Sequence, residues 1–282
     1  MPIVEAGRMP VALKDRIEAA QAQVRSRPDH ADSRAHLFQW LAVAGDWTRA
    51  RAQLDLCARL VPDAVAMLAL YRSAIDGESE RQAVFAGTKA PEVFWVDTPA
   101  WIEDLALALQ PGADQAAACA RARDTADATP GTLVLAATGA ADVAAPQSFT
   151  WIGDGDSRLA PVCEVIAGGR YGWLPFSAIR ELRLSAPQGV CDLIWAQARV
   201  TLADGREQAC LIPARYPAPA GEAGYGALDE AALMSRRTTW RDLGDGVFLG
   251  DGQKMWMTDA GEYALLDVRE VSCGVGVAGL AA

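Results

Sequence analysis

Residues 149–184 read FTWIGDGDSRLAPVCEVIAGGRYGWLPFSAIRELRL. Trp151, Tyr171, Trp173 and Phe176 stand between clusters of Asp, Gly and Pro. Short apolar runs bounded by such turn residues mark strands, so this stretch opens a β-rich half. Phe149–Ile152 is expected as a strand, GDGD as a turn, Tyr171–Leu174 as a second strand, Pro175 as the start of one helical turn, and Ile179–Leu184 as a third strand. Between them, Ala160–Ala167 is expected as a helix started by Pro161 and stopped at Gly168-Gly169.

Downstream, DLIWAQARVTL alternates around Leu193, Trp195 and Val200, turns at Asp204-Gly205, and returns through EQACLIP. Asp-Gly between two such runs is a hairpin signal. A Pro/Gly-rich loop follows from Tyr216 to Ala227. MSRRTTWRDL, GVFLGDGQKMWMTD and YALLDVREV then complete the pattern, giving six to eight strands in a small curled antiparallel sheet or barrel.

Upstream the period changes to that of helices. Leu13, Ile17, Ala20 and Val24 share one helical face, closed near Arg27-Pro28. A second helix runs from about Asp32 to Gly45 and a third from Trp47 to Pro62, joined by the tight Gly45-Asp46 turn. Pro28 and Pro62 are 34 residues apart, and AGDWTRARAQLDLCARLVPD resembles the second helix of a tetratricopeptide repeat. A long helix from Ala64 to about Ala86 is expected to cap this short stack. Thr98 and Pro99 read as the start of a helix carrying Trp101, Leu105 and Leu109, and Asp114 to Ala128 as an Ala-rich helix. TLVLAAT, from Thr132, reads as a strand at the boundary between the halves.

The fold class expected is therefore α+β in two domains: a tetratricopeptide-like helical domain at 1–130, a linker region at 131–148, a β-rich domain at 149–272 and a flexible tail at 273–282. Stacked helix pairs leave a concave trough for a partner's helix. In the repeat register Asp32, Ala35, Gln39, Ala42 and Val43 line it, and Arg236 and Arg237 are the candidate partner anchors on the other half.

The 282 residues are 51% hydrophobic and 22% charged, with a formal net charge of −10. That balance supports a sizeable core and disfavours non-specific binding to nucleic acid or anionic lipid. No window of about 18 apolar residues suggests a membrane span, and MPIVEAGRMPVALKDRIEAA has no signal-peptide pattern, so the expected location is cytoplasmic. The six cysteines form no C-x-x-C pair and are expected to be reduced and mostly buried.

Chemistry-bearing motifs are sparse. Asp154-x-Asp156 is the candidate for a divalent-cation or enzyme site, but it lacks the spaced oxygen ligands of a calcium loop. The competing reading is a turn in which Asp156 caps and Arg158 pairs with a carboxylate. His30 and His36, the only histidines, both fall in the helical half, so the β-rich half has no histidine base. No zinc spacing, phosphate loop or dinucleotide fingerprint is present; GVGVAG at 274–279 has no helix after it. No catalytic residue, metal site or cofactor is assigned.

The order of LFQWLAVAGDWTRARAQLD, the 151–184 block, DLIWAQARVTLADG, LIPARYP, RRTTW and MTDAGEYALLDVREV resembles the ImpE family, also called TagJ, of bacterial type VI secretion. The resemblance spans about Asp32 to Val271, with Gly155 where a residue such as Ala is expected. It implies a helical, repeat-like domain joined to a β-rich one, and an accessory role without catalysis. It also implies a partner, the N-terminal helix of the small contractile-sheath subunit, and a link to sheath recycling by an AAA+ unfoldase. The alternative is a metal-dependent enzyme or ligand-binding module at Asp154 and Asp156.

Overall fold

The computed structural model describes residues 12–137, 144–218 and 224–274. The first half is helical: α1 (Leu13–Ser26), α2 (Ala31–Val43), α3 (Trp47–Leu60), α4 (Val65–Phe85), α5 (Trp101–Ala108) and α6 (Gln115–Thr125), with the two-residue strand β1 (Glu92–Val93) between α4 and α5. Capping explains several of the boundaries. His30 accepts the Ser33 N–H at the start of α2, Asp46 accepts that of Arg49 at α3, and Asp114 accepts that of Ala117 at α6. Gly45, at φ +74°, makes the turn between α2 and α3. Thr98 does not cap α5, which starts at Trp101; its hydroxyl donates instead to the Trp95 carbonyl.

The second half supplies β2 (Gly131–Leu135), β3 (Gln147–Phe149), β4 (Ile152–Asp154), β5 (Val162–Ala167), β6 (Arg170–Pro175), β7 (Ile179–Leu184), β8 (Trp195–Leu202), β9 (Glu207–Pro213), β10 (Thr238–Asp242), β11 (Phe248–Gly252), β12 (Met255–Thr258), β13 (Gly261–Ala264) and β14 (Val268–Cys273), with a short helix α7 (Glu230–Leu233). Nine strands form one sheet in the order β1-β6-β5-β9-β8-β7-β14-β2-β3, antiparallel except for β1 on β6. A three-stranded sheet, β13-β12-β4, and the β10-β11 ribbon complete the described strands. The α+β architecture is as expected, but the strands exceed the expected six to eight and form an open sheet. Within the 131–148 boundary region, 131–135 form the strand expected at TLVLAAT, and 147–148 begin β3, which ends at Phe149; Cys273, assigned to the tail, is buried in β14. Residues 275–282 and the middle of the 216–227 loop lie outside the described residues.

The expected helix at 160–167 is strand β5. Its six residues are all buried, because both faces of the strand are covered. Val162 and Ile166 pack among the helices with Trp173 and Trp195, whereas Cys163, Val165 and Ala167 pack with Trp256 and Tyr263 behind the sheet. A strand buried on both faces shows no alternation. Gly168 and Gly169, both at positive φ, form the tight turn into β6 rather than a helix stop.

α4 crosses β5 and β6. It comes close because Gly77 has no side chain: a Cβ there would sit 2.5 Å from Ile166 Cγ2 and 2.8 Å from its Cγ1. Ordinarily Gly→Ala inside a helix stabilises by about 1 kcal/mol. Here the sign reverses. Gly77→Ala is expected to destabilise the fold by about 1–3 kcal/mol through overpacking, read as a lower urea midpoint at unchanged slope; a raised midpoint refutes the close packing.

Candidate functional site

The two halves are joined by a buried ionic chain. Arg81, on α4, is 1% exposed, and Glu164, in the middle of β5, is fully buried. Arg81 Nε and Nη2 donate to Glu164 Oε1 and Oε2 at 2.7 and 2.8 Å. Tyr171 OH adds a donor to Oε1 at 2.7 Å, and Lys254 Nζ one to Oε2 at 2.7 Å. Lys254 also donates to Asp154 Oδ2 at 2.8 Å, and Asp154 Oδ1 accepts the Asp156 N–H at 2.9 Å. Asp156 takes a two-pronged contact from Arg158 Nε and Nη2 at 2.9 and 2.5 Å, together with the N–H groups of Arg158 and Gly250. Glu78, also buried, lies 3.6 Å from Arg81, so with the adjacent Arg215 four cations balance four carboxylates, as buried charges require.

Burial drives the Glu164 carboxyl upward, but the charges and hydrogen bonds of Arg81 and Lys254 outweigh it and bring the pKa to about 2. Asp154 goes the other way: burial raises it to about 6, because its share of Lys254 only partly offsets the lost hydration. The Asp154/Asp156 pair is therefore not an open cation site. Its oxygens are spent on Lys254, Arg158 and backbone N–H groups, and the described residues contain no cluster of three or more potential metal ligands. The turn reading, with Asp156 paired to Arg158, matches the structure. All six cysteines are buried and unpaired.

The C-terminal end of the trough expected along α2 is filled by the chain itself. Arg215, 1% exposed, donates to the carbonyls of Ala42, Val43 and Leu233 at 3.2, 2.6 and 3.0 Å, so a guanidinium closes the negative end of α2. The same guanidinium lies 4.0 Å from the centre of the Tyr225 ring, Trp195 packs on Trp47 at 5.7 Å between ring centres, and Tyr225 covers Gly45. Ala42 and Val43 are fully buried and meet no outside partner in this arrangement. Asp32 is exposed at the first turn of α2, while Ala35 and Gln39 are half-buried. Arg236 and Arg237 are exposed just before β10, where Arg237 pairs with Asp229.

Two outward surfaces stand out among the described residues. At the corner between α3 and α4, Leu60, Val61, Val65, Met67 and Leu70 are exposed, Val65 by 64% and Met67 by 54%. No charged residue occurs from Ala64 to Tyr71. Leu70 leads into a groove of about 240 Å³ between α4 and the strands, bordered by Ser73, Ile166, Gln197, Ala209 and Leu211. The sheet splays here, since β5 and β9 share one registered pair, Ile166 with Leu211. The second surface is a cleft of about 420 Å³ between the end of α6 and β4, bordered by Trp151, Ile152, Phe248 and Met257.

Residues 146–272 match the sequence profile of the ImpE protein family. Over 275 residues, covering 95% of this chain and 89% of the relative, the sequence is 43% identical to the type VI secretion system accessory component TagJ of Pseudomonas aeruginosa. The chain belongs to the ImpE family. A crystal structure of a Vibrio parahaemolyticus protein shares the fold, with a TM-score of 0.78, 19% identity, and coverage of 94% of this chain and 95% of that one. For this ImpE-family chain the match runs from β3 to β14 and so takes in the buried carboxylates and Lys254, with Arg81 supplied from outside it. Sequence reasoning missed Arg81, Glu164, Lys254 and Arg215. The available signal was a lone Glu inside the apolar run VCEVIA.

Removing one partner of the central pair leaves a buried charge unmatched, so Arg81→Met is expected to cost about 3–5 kcal/mol in urea unfolding. Two pH limbs follow from the shifts. Glu164 lies below its ordinary 4.5, so its contribution is complete above that value and is lost as pH falls through about 2. Asp154 lies above its ordinary 3.8, so its contribution is present below that value and is lost as pH rises through about 6. The stability of the native chain relative to Asp154→Asn is accordingly expected to decline between pH 4 and 6.5. A pH-independent difference would contradict the raised value.

Proposed function

We propose that this chain is a non-catalytic, cytoplasmic adaptor of a type VI secretion apparatus that docks the N-terminal helix of the small contractile-sheath subunit. Its accessory character rests on membership of the ImpE family and on 43% identity to a relative named as an accessory component. In the described residues no helix is long and apolar enough to cross a membrane. The link to sheath recycling by an AAA+ unfoldase belongs to the same proposal, with the adaptor presenting the sheath subunit to that motor.

The observation that carries the docking reading is the uncovered apolar corner from Leu60 to Leu70, running into the groove beside Ile166 and Leu211. The charge-free stretch Ala64–Tyr71, with Asp63 at its rim, extends into the groove and suits the apolar stripe of an amphipathic helix, read as anchors at i, i+3 and i+4. At the C-terminal end of α2 Arg215 and Tyr225 already occupy the surface, which favours the corner. Asp32, at the exposed end of α2, and Arg236 with Arg237 are proposed as polar contacts at the edge of the complex.

A synthetic peptide of the sheath subunit's N-terminal helix tests this by calorimetric titration. Val65→Asp and Met67→Glu are expected to weaken binding at least ~10-fold, about 1.4 kcal/mol each, with melting temperature unchanged because both sites are on the surface. Gln39→Arg is expected to leave affinity intact. Loss of binding in Gln39→Arg alone would return the site to α2.

A further inference from the structure

The cleft beside β4 has features the docking corner lacks. β4 is the edge of its sheet. Gly153 is registered with Met257, and the Gly155 N–H donates to the Met255 carbonyl at 2.9 Å, so alternate residues face β12. Ile152 and Asp154 turn their backbone groups to the other side. There the Asp154 N–H meets the Ala160 carbonyl at 2.6 Å, while the N–H and C=O of Ile152 face the cleft with no hydrogen-bond partner among the described residues. Residues 126–129 form the other wall, with Ala126 extended at ψ 132°. The free edge of β4 and this segment therefore border one slot, with Trp151 and Phe248 exposed by 41% and 39% beside it. The rim cation, Arg123, is spent on Asp124 and on the carbonyls of Asp245 and Gly246, and the Asp154 carboxylate is turned to Lys254. One carboxylate, Asp127, stands exposed on the wall, so the slot suits an apolar strand without acidic side chains.

Such a segment begins next to it. Cys273, the last residue of β14, is registered with Gly131, and Gly131 with Phe149, so three strand ends lie in a row at this end of the sheet. The Gly274 N–H donates to the Pro130 carbonyl at 2.9 Å, one residue from Thr129 of the cleft wall. Two strand spacings, about 10 Å, separate β14 from β3, which leads directly to Trp151. The chain continues as VGVAGLAA over 275–282, with no charged residue. Fully extended, those residues reach roughly 26 Å. We propose that residues 275–282 enter this slot as an added strand against Ile152, burying their apolar side chains on Trp151 and Phe248. The added strand supplies the hydrogen bonds that Ile152 lacks, as in other strand additions to an open edge.

Hydrogen exchange at the Ile152 amide tests the proposal in the full chain and in a chain ending at Gly274, which keeps β14 whole. Exchange is expected to quicken at least tenfold on truncation, and a synthetic GVGVAGLAA peptide to restore the slow rate. Val277→Asp with Leu280→Asp in the full chain is expected to reproduce the truncation. Equal exchange in the full and shortened chains would overturn the proposal. So would protection that disappears on dilution together with a dimer seen by light scattering, since the segment would then come from a second copy.

Discussion

The fold turns on one buried ion pair, Arg81 on Glu164, with both side chains removed from water. Taking a carboxylate and a guanidinium into the interior is costly, and the cost is offset only where every lone pair and N–H finds a partner. Glu164 meets that condition through four donors: two from Arg81, one from Tyr171 and one from Lys254. Each donor ties a different element to the centre of β5. Arg81 brings α4, Tyr171 brings β6, and Lys254, at the start of β12, brings the small sheet and Asp154. Around the same point Arg81 Nη2 reaches the Arg215 carbonyl, and the Arg215 side chain closes α2. The helical and β-rich halves are thus held by a polar centre as well as by apolar packing.

That centre explains why some parts of the chain were readable and others not. α1 to α4 follow directly from apolar spacing, Gly45-Asp46 and the prolines, since each helix has one wet face to set the period. β8 and β9 were legible from alternation and Asp204-Gly205. β5 was not: covered on both faces, it presents an unbroken apolar run, and its Gly-Gly turn imitates a helix stop. The trough failed for a related reason. Repeat spacing identifies which side chains share a helix face, but not that a segment some 170 residues later in the chain will cover that face. Only long-range contacts such as Arg215 to Val43 decide it. Asp154 and Asp156 drew attention as exposed-turn chemistry, whereas their meaning depends on Lys254, a hundred residues away.

With Arg215 and Tyr225 packed on the end of α2, the α3–α4 corner and the cleft at β4 stand open among the described residues. From Ala64 to Tyr71 the α3–α4 corner carries no charged residue, and it is continuous with a splayed part of the sheet. The cleft at β4 is framed by backbone and suits a strand. The two differ in shape: one is a helical corner beside a groove, the other a slot bordered by backbone.

β1, the two-residue strand laid parallel on β6, has a consequence for life in a crowded solution. It can approach because Gly172 bears no side chain where Glu92 and Phe94 come close, and Arg170 pairs with Glu92 across it at 2.7 Å. Without that cover β6 would present a ledge of unpaired peptide groups to any passing chain, the usual starting point for sheet-to-sheet aggregation. A strand too short to recruit a neighbour, guarded by charge, makes the nine-stranded sheet end there.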